Sequence, residues 1–366
     1  MAKAPSDKPK KRFRPLRIVV KTICGLVVLV VVAVGLFLGW ATAVEYAPRS
    51  VEHLSVTGEA VAGAQLAAGG TVEVLTWNIG YAGLGAEQDF FMDGGTMVQP
   101  ESQADVERYM AGILATLEAN PAQIYLLQEV DTDSKRSFGL NEQEQIAEAI
   151  TGLTAFAYNF KSAYTPYPWP PIGKVNSGIM TISSFAVSQP QRIALPVPFK
   201  WPVKLFNLKR CLLVERIPVD DGGYLVVINV HLEAYSDPEG RAAQMKQLVE
   251  LAHQEYEDGN YVIIGGDFNQ TLPGFDFPTI STNWEPGVFD AEALGEGWTV
   301  ADDPNVPTSR LNDKPYSGSW DDTQLLGIDG FILSPNVEAI YTRGIDQEFA
   351  YSDHNPVILK ARLLKD

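Results

Sequence analysis

Asp267 and Asn269 stand two residues apart at the end of the run Tyr261-Val-Ile-Ile-Gly-Gly-Asp267-Phe-Asn269-Gln270. A carboxylate can take a proton or orient a water, and a carboxamide can hold an anionic oxygen. Strand geometry carried through to Asn269 puts both side chains on one side, because side chains alternate with period two. That pairing suits attack on a phosphodiester. Taken alone, Gly-Asp-x-Asn reads equally well as a strand running into a turn. Four more polar clusters punctuate strand ends, namely Asn78, Gln128-Glu129, His231 and Asp353-His354, and Asp329 falls inside a strand pattern. Each is also readable as a turn, a surface acid or a half-buried histidine. Of the four histidines, His231 and His354 sit at strand ends beside acids or amides, whereas His53 and His253 do not. Strand ends on one edge of a sheet converge in space, and ligand sites form there.

Apolar runs rich in β-branched residues predict the strands that carry these groups. They fall at Thr71–Trp77, Gln123–Leu127, 155–160, 178–193, 210–217, 224–230, 261–267, 327–333 and Val357–Leu363. Helical spacing of Val106, Met110, Ile113, Leu114 and Leu117 predicts a helix capped by Ser102, and Met245, Leu248, Val249, Ala252 and Tyr256 share a face of a helix from Pro238. A shorter helix is expected from Asn141 to Ile150. Groups of alternating strands with Gly/Pro turns predict sheet packed on sheet. The proline- and aromatic-rich loops around Tyr164–Pro171 and Pro196–Phe206 read as packing elements, with contact to a bilayer as the other reading. With Cys24 in the apolar N-terminal run and Cys211 in a strand pattern, no disulfide framework is available to the body.

Charge and hydropathy divide the chain. The formal net charge is −17, yet eight of the 28 Lys/Arg and one of the 45 Asp/Glu lie in residues 1–44. The remainder is strongly acidic, which disfavours extended nucleic-acid binding. The run from Thr22 to Trp40 matches the roughly 20 apolar residues that cross a bilayer as a helix. The expected organisation is a basic cytoplasmic segment at 1–21, a transmembrane helix at 22–44, a linker at 45–70 and a catalytic domain at 71–366. The basic flank places the body outside the cytoplasm. Ala41-Thr-Ala43 resembles a signal-peptide cleavage site, which gives a secreted body instead, although signal cores run about 7–15 residues.

Thr-Trp-Asn78, Leu-Gln-Glu129, Asn-Val-His231-Leu, Gly-Gly-Asp267-Phe-Asn269, Ile-Asp329-Gly-Phe-Ile and Ser-Asp353-His354-Asn-Pro-Val follow one another in that order. Together they resemble the endonuclease/exonuclease/phosphatase superfamily, with its deoxyribonuclease I-like fold, and the resemblance covers Thr71 to Leu364. It implies an α/β four-layer sandwich of two mainly antiparallel β-sheets flanked by helices, with the site at one edge. It also implies hydrolysis of a phosphate ester by a Mg²⁺-activated water, with Mn²⁺ as a substitute. Carried over, Glu129 matches the principal metal ligand, with Asn78 beside it and Asp353 near enough to join. Asp267 matches the group that orients or deprotonates the water, and Asn269 the one that holds a non-bridging oxygen or the water. His354 matches the phosphate-contacting or acid/base histidine in its charged form, paired with Asp329. His231 matches a phosphate-contacting histidine of the sphingomyelinase and phosphatase branches.

The departures narrow the branch. Gly327-Ile-Asp329-Gly stands where inositol polyphosphate phosphatases carry Trp-Cys-Asp-Arg, and AP endonucleases usually carry Tyr at the His231 position. Arg241 and Gln244 match a recurrent Arg-x-x-Gln, read as structural first and functional second. The expected activity is extracytoplasmic phosphodiester hydrolysis on lipid head groups or small phosphodiesters, by a monomeric catalytic domain. A cell-surface nuclease and an inactive membrane-anchored binding module are the alternatives.

Overall fold

Two βαβ crossovers shape the molecule. In the computed structural model, which describes residues 14–365, helix α1 (Arg14–Ala43) is followed by β1 (Val51–His53), β2 (Thr57–Gly58) and β3 (Thr71–Asn78). Helix α2 (Gln103–Ala119), β4 (Ile124–Asp131), α3 (Glu142–Ala149), β5 (Leu153–Thr165) and β6 (Gly173–Ser183) come next. Then come β7 (Ser188–Ala194), β8 (Cys211–Pro218), β9 (Tyr224–His231), α4 (Pro238–Glu257) and β10 (Tyr261–Asp267). The chain closes with β11 (Thr299–Ala301), β12 (Asp329–Leu333), β13 (Val337–Gly344) and β14 (Val357–Leu363).

Among the described residues these strands form two seven-stranded sheets, ordered β1-β7-β8-β9-β10-β12-β11 and β13-β14-β3-β4-β6-β5-β2. Every neighbouring pair is antiparallel except β9/β10 and β3/β4. A parallel pair cannot be closed by a hairpin, so each needs a crossover that lays a helix on the sheet's outer face. Helix α4 fulfils this for the first sheet and α2 for the second.

Burial follows from that arrangement. Val72, Val74, Ile124 and Leu126 of the second sheet meet Leu225, Val227, Ile263 and Phe331 of the first between the two sheets. Val106, Tyr109, Met110 and Ile113 of α2 cover Leu75, Trp77 and Leu127 from outside, and Leu248 and Ala252 of α4 cover Ile228, Val262 and Ile264. The layers therefore run helix, sheet, sheet, helix, as expected. Ser102 caps α2 by accepting from the Asp105 backbone N–H, and Asp237 caps α4 ahead of Pro238. All fully buried members of these clusters lie between Leu66 and Leu363, so the two-sheet body holds its own core without α1.

The segment 45–70, expected as a linker, is knitted into the body over part of its length. β1 pairs with β7 and β2 with β5, because sheet edges present unpaired backbone groups that a short polar stretch can satisfy. Contacts divide the chain after Glu45. Ile18–Ala43 within α1 is long and apolar enough to cross a membrane, a property that signal sequences near an N-terminus share. Lys8, Lys10, Lys11 and Arg12 of the basic segment lie outside the described residues. Cys24 and Cys211 are both free thiols.

A buried polar link joins the sheets beneath the strand ends. Asn229 of β9 donates to the Met180 and Leu127 carbonyls at 2.9 and 3.2 Å and accepts from Gln128 Nε2 at 2.8 Å. Removing a buried group that satisfies several partners costs about 1–3 kcal/mol per group stranded. Asn229→Leu should therefore lower the urea-unfolding free energy of residues 46–366 by roughly 2–4 kcal/mol, measured by circular dichroism. A loss below about 0.5 kcal/mol would show that the link is dispensable.

Candidate active site

Strand register assembles the site. In the first sheet His231 lies opposite Asp267 in the parallel β9/β10 pair, and Asp267 lies opposite Asp329 in the antiparallel β10/β12 pair. Three adjacent strands thus end their rows on functional groups. In the second sheet Asn78 pairs with Gln128 at the end of the parallel β3/β4 ladder. The β4/β6 register then skips between Leu127 and Val130, and Glu129 adopts a left-handed φ of +55°. A bulge of this kind re-aims one side chain: Gln128 stays between the sheets while Glu129 faces the cavity. His354 arrives on the turn before β14. Its carbonyl accepts from the Trp77 indole N–H at 2.8 Å, and Ser352 Oγ donates to the Asn78 carbonyl at 2.8 Å.

Asn78, Glu129, His231, Asp267, Asn269, Asp353 and His354 all line one cavity of about 450 Å³. Asp329 stands behind His354, its Oδ2 accepting a hydrogen bond from Nδ1–H at 2.8 Å. The Asn78 amide donates to Asp267 Oδ2 at 3.0 Å and lies 3.4 Å from both Glu129 Oε1 and His354 Nε2. His231 Nε2 is 3.6 Å from Asp267 Oδ2, and His354 Nε2 is 3.9 Å from the same oxygen. Every residue that the sequence nominated is therefore in or directly behind a single pocket.

One local expectation fails. The strand stops at Asp267, and Asn269 takes a left-handed φ of +51° instead of continuing it. Asp267 Oδ1 accepts from the Asn269 backbone N–H at 2.9 Å, and this Asx turn breaks the alternation. Asn269 Nδ2–H donates to the Leu232 carbonyl at 2.9 Å. Both side chains still face the cavity, by a turn rather than by period two.

The electrostatics are those of a pocket with surplus negative charge. Burial, with Asp329 adding repulsion, lifts Asp267 to about 7 despite the opposing pull of His354 and Asn78. Burial and the Glu129 charge lift Asp353 to about 6. His354 moves the other way from what burial alone would do: Asp329, Asp353 and Asp267 hold its proton, and it rises to about 10. Burial drives His231 well below its ordinary value, and Arg210, His354 and Arg136 add to the effect. His354 is thus the charged histidine of the site and His231 a neutral ring, with Arg136, Arg210 and Arg310 also on the cavity lining.

This donor set fits a hard divalent cation. Glu129 reaches the cavity with its nearest cation, Arg136, at 3.8 Å, beyond hydrogen-bond range. Asn78 Oδ1 accepts only from the Gly80 N–H at 3.1 Å, which leaves a lone pair, and Asp353 is held by Ser352 and Asn312. All three offer oxygen, which Mg²⁺ and Mn²⁺ prefer. Asp267, Asp329 and His354 also bring ligand atoms within 4.8 Å of one another. There the proton shared by His354 and Asp329 competes with any ion, so the Glu129 side is the better seat.

Sequence patterns missed several groups. Arg136 stacks on the Tyr81 ring at 3.6 Å and grips Asp131 through Nε and Nη2 at 3.1 and 2.9 Å. Ser309 Oγ lies 3.4 Å from His354 Nε2, and Tyr235 donates to Asp93 at 2.8 Å at the cavity wall. Arg136 and Tyr235 sit in loops and Ser309 in a two-residue strand, all too short or irregular for periodicity to mark. The signal for Arg136 was its position just after an acid pair at a strand end.

Residues 75–354 match the Endonuclease/Exonuclease/phosphatase family. Among solved structures, the chain is similar to an endonuclease/exonuclease/phosphatase from Beutenbergia cavernae, with a TM-score of 0.58 and 19% identity over 80% of this chain and 72% of that one. It is also similar to a functionally unknown conserved protein from Enterococcus faecalis, with a TM-score of 0.52 and 15% identity over 79% and 98%. A third, an endonuclease/exonuclease/phosphatase from Bacteroides vulgatus, gives a TM-score of 0.50 and 14% identity over 80% and 99%. At these identities the likeness establishes the fold. No curated protein matches the chain.

The raised carboxyls have a thermodynamic consequence. A carboxyl whose folded pKa exceeds its unfolded one adds stability at low pH and loses it as pH rises through the folded value. For Asp267 that window runs from its ordinary 3.8 up to about 7. Metal-free protein should therefore lose stability from this source between those limits. Added Mg²⁺ or Mn²⁺ should raise the melting temperature at pH 8 and much less at pH 5, where a proton occupies the Asp353 carboxyl. Scanning calorimetry with and without metal checks this, and an equal shift at both values would contradict it.

Proposed function

The chain belongs to the Endonuclease/Exonuclease/phosphatase family, and from that premise we propose that it hydrolyses phosphodiesters with a divalent metal, Mg²⁺ or Mn²⁺, on lipid head groups or other small diesters. The observation that carries this is the convergence of Asp267, Asn269, His354, Asn78 and Glu129 on one cavity. Glu129, Asn78 and Asp353 would hold the metal, which when bound neutralises charge on a phosphoryl oxygen. The chain's own groups supply the rest. Asp267, lifted to about 7, is placed to orient a water and accept its proton near neutral pH. His354 keeps a charge that Asp329 orients, and presents Nε2 to a phosphoryl oxygen or a leaving group. The Asn78 amide and the Asn269 backbone N–H fix the Asp267 carboxylate, with neutral His231 beside it at 3.6 Å.

The substrate reading rests on the far wall of the cavity. Phe90, Phe91, Tyr167, Val203, Phe206 and Trp284 line it, an apolar surface that suits an acyl or other hydrophobic substituent. The acidic body argues in the same direction. The apolar segment Ile18–Ala43 supports attachment to a membrane with the body outside the cytoplasm, or secretion if the segment is cleaved.

The test is Mg²⁺-dependent turnover by residues 46–366 of bis-p-nitrophenyl phosphate, sphingomyelin, phosphatidylcholine and plasmid DNA. Asp267→Asn and His354→Ala should each lower turnover by about 10²–10⁴-fold, the usual weight of a positioned acid or base. Plasmid nicking without lipid turnover would replace the lipid reading with a nuclease. Asp329→Asn should also move the alkaline limb of the pH–rate profile downward, since His354 loses the neighbour that raises its pKa. An unmoved limb would remove His354 from the charged role.

A further inference from the structure

Two loops beside the cavity mouth are exposed where packing would have hidden them. Trp169 is 89% exposed, Tyr167 67%, Trp201 55% and Val203 52%. Tyr167 and Val203 line the catalytic cavity, while Trp169 and Trp201, two residues away on each loop, do not. The loops are built to hold these rings outward. Tyr167 rests edge-on against Phe91 at 5.7 Å, and Lys135 Nζ donates to the Pro171 carbonyl at 3.0 Å. Reading the loops as proline-rich packing leaves this exposure without a cause.

Charge singles out the Trp201 loop, while the Tyr167 loop is free of acids and is flanked by lysines on β5 and β6, of which Lys174 pairs with Asp133. Residues 160–174 contain Lys161 and Lys174 and no acid, and residues 195–210 contain Lys200, Lys204, Lys209 and Arg210 and no acid. The whole chain has 45 Asp/Glu against 28 Lys/Arg. Lys209 and Arg210 are buried and Lys204 is half-buried, whereas Lys200, beside Trp201, is exposed. Indole and phenol rings, apolar with one polar edge, lodge at the level of lipid head groups, and a flanking lysine reaches the phosphates there. An exposed aromatic patch of this kind marks an interaction site.

We propose that the Tyr167–Trp169 and Trp201–Val203 loops are an interfacial docking surface whose occupant is the head-group layer of a phospholipid bilayer. The surface abuts the cavity, so a lipid that leaves the layer meets the catalytic groups after passing Tyr167 and Val203. This inference rests on the lipid reading of the site. It adds how the substrate is reached and which residues outside the catalytic set govern it.

Residues 46–366, which hold their own core, suffice for the experiment. Binding to phosphatidylcholine vesicles, with and without phosphatidylserine, is measured by co-sedimentation and by quenching of tryptophan fluorescence with brominated lipid. The doubly substituted Trp169→Ala/Trp201→Ala protein should bind at least about tenfold more weakly, because interfacial Trp residues supply the anchoring. Its turnover of soluble bis-p-nitrophenyl phosphate should stay at the wild-type level, which also reports that it is folded. Lys200→Glu should weaken binding to the serine-containing vesicles more than to phosphatidylcholine alone. Wild-type protein that binds neither vesicle, or a double variant that binds as well as wild type, would overturn the docking surface. If the soluble diester is still cleaved in that case, the hydrolase reading survives; vesicle binding without any turnover supports the surface alone.

Discussion

Three polar links cross from one sheet to the other at the same end of the sandwich. Asn78 reaches Asp267 at 3.0 Å, His354 reaches Asp329 at 2.8 Å, and Gln128 reaches Asn229 at 2.8 Å. In each pair one partner belongs to, or directly adjoins, a strand of the opposite sheet. The site exists only while the two sheets meet in this register. Inside the sandwich a polar group without a partner is costly, so these links also penalise any slip of one sheet past the other.

The crossovers explain why the functional groups lie at that end. Parallel pairing puts the C-terminal ends of β3 and β4 side by side, and likewise those of β9 and β10. Four strand ends then deliver Asn78, Glu129, His231 and Asp267 to one rim, and β12 begins there with Asp329. The resulting concentration of carboxylates exceeds what His354 balances. Burial, reinforced by that repulsion, raises Asp267 and Asp353 well above ordinary carboxyls. That imbalance is a stability cost in the metal-free protein and an attraction for a divalent cation, so the same residues give both the weakness and the use of the pocket.

Much of this was legible in the sequence, for physical reasons that differ by element. Buried strands such as β10 announce themselves because both faces are covered and the run is wholly apolar. Helices α2 and α4 show their covered faces through helical spacing, and Ser102 and Pro238 mark their starts. β13 was not legible: all but the first and last of its residues are at least partly exposed, so no alternation or apolar run marks it. β1 and β2 are edge strands of a few residues whose pairing depends on distant partners. The bulge at Glu129 and the turn at Asn269 depend on backbone conformation that residue identity alone does not specify. Arg136 acts through a loop, and only its fold-dependent stacking on Tyr81 brings it to the wall of the site.

The central claim is that groups scattered from Asn78 to His354 form one divalent-cation and phosphate site. Anomalous diffraction from crystals of residues 46–366 soaked with Mn²⁺ and phosphate addresses it most directly. The account predicts a manganese peak beside Glu129, Asn78 and Asp353, with phosphate oxygens within reach of His354 Nε2 and Asn269 and the His354–Asp329 pair intact. A peak seated between Asp329 and His354 that splits that pair, or no peak in this cavity at all, would contradict it.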